Sequence, residues 1–281
     1  MKQLMNQLNK LKHQCYDMQT INTFDKLLNR LYQLQKANEP INNIFLKQIH
    51  YPEKAFSERD DIRVVVAPDM MSVSPLMFWN CPNLEFVFAP EVRTLDDSHS
   101  FTWTNLSMLC LPKLEYVGKW SFCNCHNLTQ LELQCLEVAE NAFNNCTRLV
   151  ELVLRSAVKI GVGAFAQCCK LQILQIPKAV NVGGNCLSSC ESLKLMSSRL
   201  GEDKFVCDGY CEGCPTCENK LKICLKNGWL MTCLEQKREL LARKLWEVDL
   251  QIQLMKTDLC LFHQIVGIED YVFKFVEIGL E

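Results

Sequence analysis

The first thirty residues, MKQLMNQLNKLKHQCYDMQTINTFDKLLNR, never hold an apolar run of seven, so no secretory leader is expected there. No stretch approaches 18 uncharged apolar residues either. The apolar C-terminal tail is broken by Glu269, Asp270, Lys274 and Glu277, which excludes a membrane-spanning helix. Charge of one sign is equally lacking. Thirty Lys and Arg against 32 Asp and Glu leave a formal net charge of -2, which offers no basic field to nucleic acid or anionic lipid. Catalytic signatures are missing too: there is no Walker loop, no G-x-G-x-x-G and no G-x-S-x-G. The five histidines, His13, His50, His99, His126 and His263, are scattered and none pairs with a carboxylate in a motif. These absences predict a soluble, intracellular and most simply cytoplasmic protein that is not an enzyme and has no required cofactor.

Two things are abundant. Hydrophobic residues make up 48% of the 281 positions, enough to bury a sizeable core. Cysteine occurs 18 times, which in a secreted chain would suggest a disulfide framework. Without a leader, free thiols are the expectation.

The order in the chain is a repeat. Leucines at 84, 106, 128, 149, 171 and 193 are spaced by 22, 22, 21, 22 and 22 residues. Three positions before each stand Cys81, Trp103, Cys125, Cys146, Cys168 and Cys190, and eleven before stand Val73, Leu95, Val117, Val138, Ile160 and Val182. After each leucine the apolar residues fall at plus three and plus five, as in Leu131 and Leu133, or Leu152 and Leu154, which is the alternation of a short strand with one buried face. Pro90, Pro112 and Pro177 end three of these strands, where a missing N–H is tolerated. The pairs Ser121-Phe122, Ala142-Phe143 and Ala164-Phe165 place an aromatic on the return limb, and Gly161, Gly163, Gly183 and Gly184 read as turn glycines. One such coil cannot close a core, but a stack of them buries its Leu, Val and Phe columns as ladders. The predicted fold is therefore an α/β repeat: a right-handed solenoid with short parallel strands.

The segments LEYVGKWSFCNCHNLTQLEL and AVKIGVGAFAQCCKLQILQIP, with their AF-x-x-C-x-x-L core, resemble the BspA-like class of leucine-rich repeats over residues about 62–196. The resemblance implies a leucine-rich-repeat solenoid used for recognition and not for catalysis, without naming a partner.

The flanks divide the chain further. Residues 1–50 are expected to be an N-terminal helical segment, from Leu4, Leu8, Leu11, Cys15 and Met18 and then Ile21, Phe24, Leu28 and Leu31, ending at Glu39-Pro40. The solenoid then takes 51–200, a cysteine-rich loop 201–233, and a long C-terminal heptad helix with its tail 234–281. That helix carries a seam through Leu241, Leu245, Val248, Ile252, Met255 and Leu259 at spacings of four and three. The seam can pack inside the chain or associate copies of it into a homo-oligomer. Its mixed polar face, Glu235, Lys237, Glu239, Lys244, Glu247, Asp249 and Lys256, argues against a lipid surface. In the loop, Cys207, Cys211, Cys214 and Cys217 bring two C-x-x-C steps that share Cys214. Four thiolates suit structural zinc, but the spacing is shorter than a zinc ribbon's and departs from the ferredoxin-type run. An unmetallated thiol loop and a redox pair stay open beside it.

Two functions follow as expectations. One is a non-enzymatic scaffold that binds a protein partner through the outer strand face. The other is an assembly protein that oligomerises through the heptad helix. The outer positions, plus two and plus four, are Val64, Val66, Phe86, Phe88, Met108 and Cys110 in the first strands and change character midway, to Gln130 and Glu132, Glu151 and Val153, and Ile173 and Gln175. An apolar patch of that size is either a partner site or is covered, for instance by the N-terminal helix.

The repeat cysteines generate the first prediction. If they are reduced core residues, Cys146→Ser lowers the unfolding free energy by about 1–3 kcal/mol. The native thiols at 81, 125, 146, 168 and 190 should then resist alkylation until the protein is unfolded. Labelling of these five as fast as a free surface thiol would show that they do not face the core.

Overall fold

Successive coils of the solenoid alternate a longer strand with a two-residue strand, and each kind pairs in parallel with its counterpart in the next coil. The computed structural model describes residues 43–209, 211, 213–230, 243–244 and 246–247. The chain divides into two units, Met1–Trp229 and Leu230–Glu281. The solenoid lies in the first, with about seven turns. The longer strands are β1 (Asn43–Phe45), β2 (Val64–Val66), β4 (Phe86–Phe88), β6 (Met108–Cys110), β8 (Gln130–Leu133), β10 (Glu151–Leu154), β12 (Ile173–Ile176) and β14 (Leu195–Ser198). The two-residue strands between them are β3 (Ser72–Val73), β5 (Thr94–Leu95), β7 (Tyr116–Val117), β9 (Glu137–Val138), β11 (Lys159–Ile160) and β13 (Asn181–Val182). The short strands form one continuous six-stranded sheet. The longer ones form two sheets of four, β1-β2-β4-β6 and β8-β10-β12-β14. The interruption between β6 and β8 falls where the outer face changes from apolar to polar side chains.

β1 pairs with β2 in parallel register, Ile44 opposite Val65, so the solenoid already includes residues 43–45, ahead of the boundary at 51 expected from the sequence. The turn residues Lys54 and Glu58 repeat, four apart, the left-handed backbone pairs of later coils such as Trp120 and Asn124, and Asn141 and Asn145. These two reversals bend each return limb, and asparagine recurs there because its short polar side chain tolerates positive φ. The other predicted helical residues of the N-terminal segment, and the seam residues Leu241, Leu245, Val248, Ile252, Met255 and Leu259, lie outside the described residues.

Between the sheets the core is a set of ladders. Val65, Val87 and Leu109 follow one another on the inner strand face, then Leu131, Leu152, Leu174 and Met196, all in one hydrophobic cluster or packed against it. Phe56, Phe78, Phe101, Phe122, Phe143 and Phe165 stack with ring centroids 5.1–6.2 Å apart. Offset stacking at these separations adds to the burial of the rings themselves.

The repeat cysteines form a second ladder beside the rings, and each thiol donates to the main-chain carbonyl of a phenylalanine one coil back. Cys81 Sγ lies 3.1 Å from Phe56 O, Cys125 3.2 Å from Phe101 O, Cys146 3.0 Å from Phe122 O, Cys168 3.2 Å from Phe143 O and Cys190 3.2 Å from Phe165 O. All five are buried and free. Burial pushes the thiol pKa up to about 11 at Cys81 and about 12 at Cys125, which makes these two sulfurs poor nucleophiles.

One member of this column differs from the sequence register. Trp103, counted as the Cys equivalent, takes a left-handed backbone and is half exposed. Thr104 occupies the buried place instead, donating to Phe101 O at 2.8 Å and lying 3.3 Å from Cys125 Sγ. The reason is the position of Phe101, five residues before Leu106 where Phe122 and Phe143 stand six before their leucines.

The aromatic ladder sets a second prediction. Phe143 is enclosed by Phe122 and Phe165, so Phe143→Ala should cost about 3–5 kcal/mol in denaturant unfolding, and Phe143→Leu clearly less. A loss below about 1 kcal/mol for the alanine variant would mean the ring column does not hold the coils together.

Candidate functional site

The surface of a solenoid is set by which columns each coil leaves uncovered. On the longer strands Val64, Val66, Phe86, Phe88 and Cys110 alternate with the inner residues as the pleat requires, and only Val65, Val87 and their equivalents belong to the core cluster. The sequence left open whether this outer set is a partner site or a covered face; in the fold all five are buried, Phe86 with 2% of its surface accessible, and Met108 is half-buried. So large an apolar face is too unfavourable to leave in water. A charge placed at Phe86 would therefore disrupt the folded interior. Further along, the outer face is mixed and partly open, with Glu132 paired to Arg155 at 3.0 Å, Gln130 within 3.4 Å of Glu151, and Val153 buried among them.

The short-strand sheet carries a row that the sequence reading passed over. The residue preceding each short strand is Met71, Arg93, Glu115, Leu136, Val158 and Val180, joined coil to coil by backbone bonds such as Val158 N–H to Leu136 O at 2.8 Å and Val180 N–H to Val158 O at 2.9 Å. Arg93 and Glu115 form an exposed ion pair at 2.5 Å. The next three are aliphatic and stand in solvent, with Leu136 52%, Val158 40% and Val180 58% exposed. Beside them runs an open groove of about 500 Å³ whose walls include Lys159, Val162, Val182 and Lys204. Its floor is flat because Gly161 and Gly183 sit against the preceding coil. A Cβ at either would fall about 2.5 Å from backbone atoms, 2.5 Å from Ala139 C and 2.4 Å from Val162 N. The signal in the sequence was three aliphatics at 22-residue spacing, each followed by a polar residue.

Among the described residues the histidines meet hydroxyls and not carboxylates. His50 lies 3.1 Å from Ser72 Oγ, His99 3.1 Å from Thr102 Oγ1 and His126 3.1 Å from Thr147 Oγ1. Burial holds His99 below its ordinary pKa.

The four cysteines singled out in the loop do come together: the Sγ atoms of Cys207, Cys211, Cys214 and Cys217 all lie within 4.8 Å of one another. Burial raises the Cys211 thiol, but hydrogen bonds from Ser188 and from the other three cysteines outweigh it and bring the pKa down to about 7. Cys207 moves the other way, upward through burial and through its hydrogen bond to Cys211. The loop leads into a helix beginning at Leu221, also unread in the sequence, although Leu221, Cys224, Leu225 and Gly228 have helical i, i+3, i+4, i+7 spacing. That face packs on the last coil: Cys224 Sγ lies 3.2 Å from Leu193 O, and Gly228 leaves room for the backbone of Met196 and Ser197.

Among solved structures the chain is similar to a leucine-rich repeat protein from Bacteroides ovatus ATCC 8483, at 18% identity and a TM-score of 0.39 over 66% of this chain and 64% of that one. It is also similar to a leucine rich cell surface protein from Faecalibacterium prausnitzii A2-165, at 16% identity and a TM-score of 0.27 over 49% and 54%. The chain thus spans less than two thirds of either relative. A comparison with curated proteins finds no match. Residues 71–194 match, in six copies, the family described as BspA type leucine rich repeat region. With the parallel ladders and the Phe and Cys columns in the same stretch, residues 71–194 of this chain belong to the BspA-type leucine-rich-repeat family.

Proposed function

We propose that this protein is a non-enzymatic protein-interaction scaffold and that it meets its partner on the short-strand sheet, through Leu136, Val158 and Val180. The observation that carries this is the exposure of those three aliphatics in adjacent coils of an unbroken sheet. Single exposed aliphatics need no explanation, but three in one row beside a flat groove form a contiguous apolar strip with a polar border. Lys159 and Lys204 on the groove wall supply the charged rim of a protein-recognition surface. Leucine-rich-repeat proteins in general serve as such scaffolds, which supports the class of function. No helix among the described residues is long and apolar enough to cross a membrane.

The strip is rigid, so binding would not cost the ordering of a loop. Val158→Asp combined with Val180→Asp should leave unfolding within about 0.5 kcal/mol of the parent, since both side chains already stand in water. A photo-crosslinker placed at Val158 should yield a discrete protein adduct in cells, whereas one at Lys113, paired with Glu91 elsewhere on the coil, should not. The purified partner should then bind the double variant at least about tenfold more weakly, or about 1.4 kcal/mol. Equal adducts at both positions, or unchanged affinity, would remove the strip from consideration.

A further inference from the structure

The four loop cysteines sit where the solenoid ends, and the chain arrives there along two separately anchored arms. The first arm continues the repeat. Asn185 N–H donates to Val206 O at 2.7 Å, Asp208 N–H to Asn185 Oδ1 at 3.0 Å, and Asn185 Nδ2 to Asp208 Oδ2 at 2.9 Å, while Phe205 enters the core cluster. This arm fixes Cys207. The second arm is fixed by the helix that begins at Leu221, whose Leu221 and Cys224 join the same core. A turn from Pro215 leads into it, with Glu218 N–H donating to Cys214 O at 3.0 Å and Leu221 N–H to Pro215 O at 3.0 Å. Cys214 is fully buried and Cys217 is exposed on the far side of that turn.

Two glycines make the convergence possible. Gly209 and Gly213 both take positive φ, 85° and 66°, which turns the chain sharply between successive cysteines. Gly213 also presses on the last repeat, where a Cβ would lie 2.2 Å from Glu191 Cγ.

The resulting sulfur set is compact. Cys207 and Cys211 Sγ are 3.0 Å apart and Cys211 and Cys217 3.6 Å apart, with all four within 4.8 Å and none in a disulfide. Four sulfurs bound to one zinc ion at about 2.3 Å stand about 3.8 Å from each other along the edges of a tetrahedron. The observed separations bracket that value. A multi-iron cluster needs wider spacing than one ion does, so a single tetrahedral cation fits the sulfurs. Thiols in water have no reason to crowd in this way, and their mutual contacts are weak hydrogen bonds at best.

We propose that Cys207, Cys211, Cys214 and Cys217 form a structural zinc site that ties the two arms together and closes the C-terminal end of the solenoid. Binding exchanges thiol protons for the metal: one Zn²⁺ enters, the sulfurs become thiolates, and the displaced protons go to solvent. The physical need is plain. The helix from Leu221 packs on the last coil, and residues 207–220, which tie it to the repeat, hold little apolar surface of their own. A metal clip there would hold that helix to the end of the stack. The site is independent of the partner strip and would survive the failure of that reading.

The full chain, purified under reducing conditions without chelator, should contain about one zinc ion by elemental mass spectrometry. Cys217→Ser tests the ligand at the exposed position, where the fold does not depend on the side chain. It should cut zinc content severalfold, and Cys217→Ser with Cys211→Ser should abolish it. Cys169→Ser, a half-buried cysteine outside the cluster, should retain all of it. Cobalt added to the stripped protein should give the intense thiolate charge-transfer and visible bands of a tetrahedral sulfur site, absent from the double variant. Stripping should lower Tm and make the chain beyond Leu200 more sensitive to protease. The proposal fails if zinc is absent and cobalt gives no such spectrum, or if the metal content ignores the cysteine substitutions. It also fails if the native protein carries disulfides among these four.

Discussion

A coil of 22 residues has no interior of its own. Its leucine, valine and phenylalanine are buried only because the next coil places the same residue types against them, so the constraint on which the structure rests is coil-to-coil register. Three sets of contacts hold it. Parallel strand bonds join main chain to main chain, the phenylalanine rings stack at 5.1–6.2 Å, and each repeat cysteine donates to the carbonyl of a phenylalanine one coil back. The last of these explains cysteine at this position. A sulfur is apolar enough for the core and still reaches a carbonyl that a methyl group would leave with one partner fewer.

Register also decides where glycine is required. Gly161 and Gly183 stand where two backbones approach too closely for any Cβ, and the positive φ of the return limbs falls on Asn124, Asn141, Asn145 and Asn185 among others. The same geometry flattens the groove beside Leu136, Val158 and Val180. The features that let coils stack thus also shape the surface they present. Cross-coil ion pairs such as Arg93 with Glu115 and Lys159 with Glu137 decorate that surface, and their exposure makes each worth little in stability.

The two ends of the stack pose different problems. At the start, β1 adds a strand ahead of the first clear repeat, and the outer face of β2 and β4 is buried. At the finish, the strand ladder stops at β14, and the chain turns through the cysteine loop into a helix that lays Gly228 on the backbone of Met196. The sulfur cluster lies in the loop between β14 and that helix.

How much of this was legible in the sequence depends on whether a feature is local or collective. Repeat length, the inner columns from Leu131 to Leu174 and the burial of Cys146 and its equivalents could be read directly, because a side chain's direction in a strand follows from its position in the alternation. The place of Thr104 could not, since one residue moved within the return limb shifts the column without moving Leu106. Whether Phe86 meets water was also undecidable, because burial depends on what lies above a face and not on which way the face points. Four cysteines spread over eleven positions were visible, but their convergence depends on two anchored arms and two glycine turns, Gly209 and Gly213, that only the folded chain brings to one point. Composition and period determined that the chain forms a stacked solenoid, because burial in such a fold follows from repeated local pattern. The exposed row at Leu136, Val158 and Val180 and the sulfur cluster at its end were decided by tertiary structure, because each arises from distances between residues that the sequence does not place side by side.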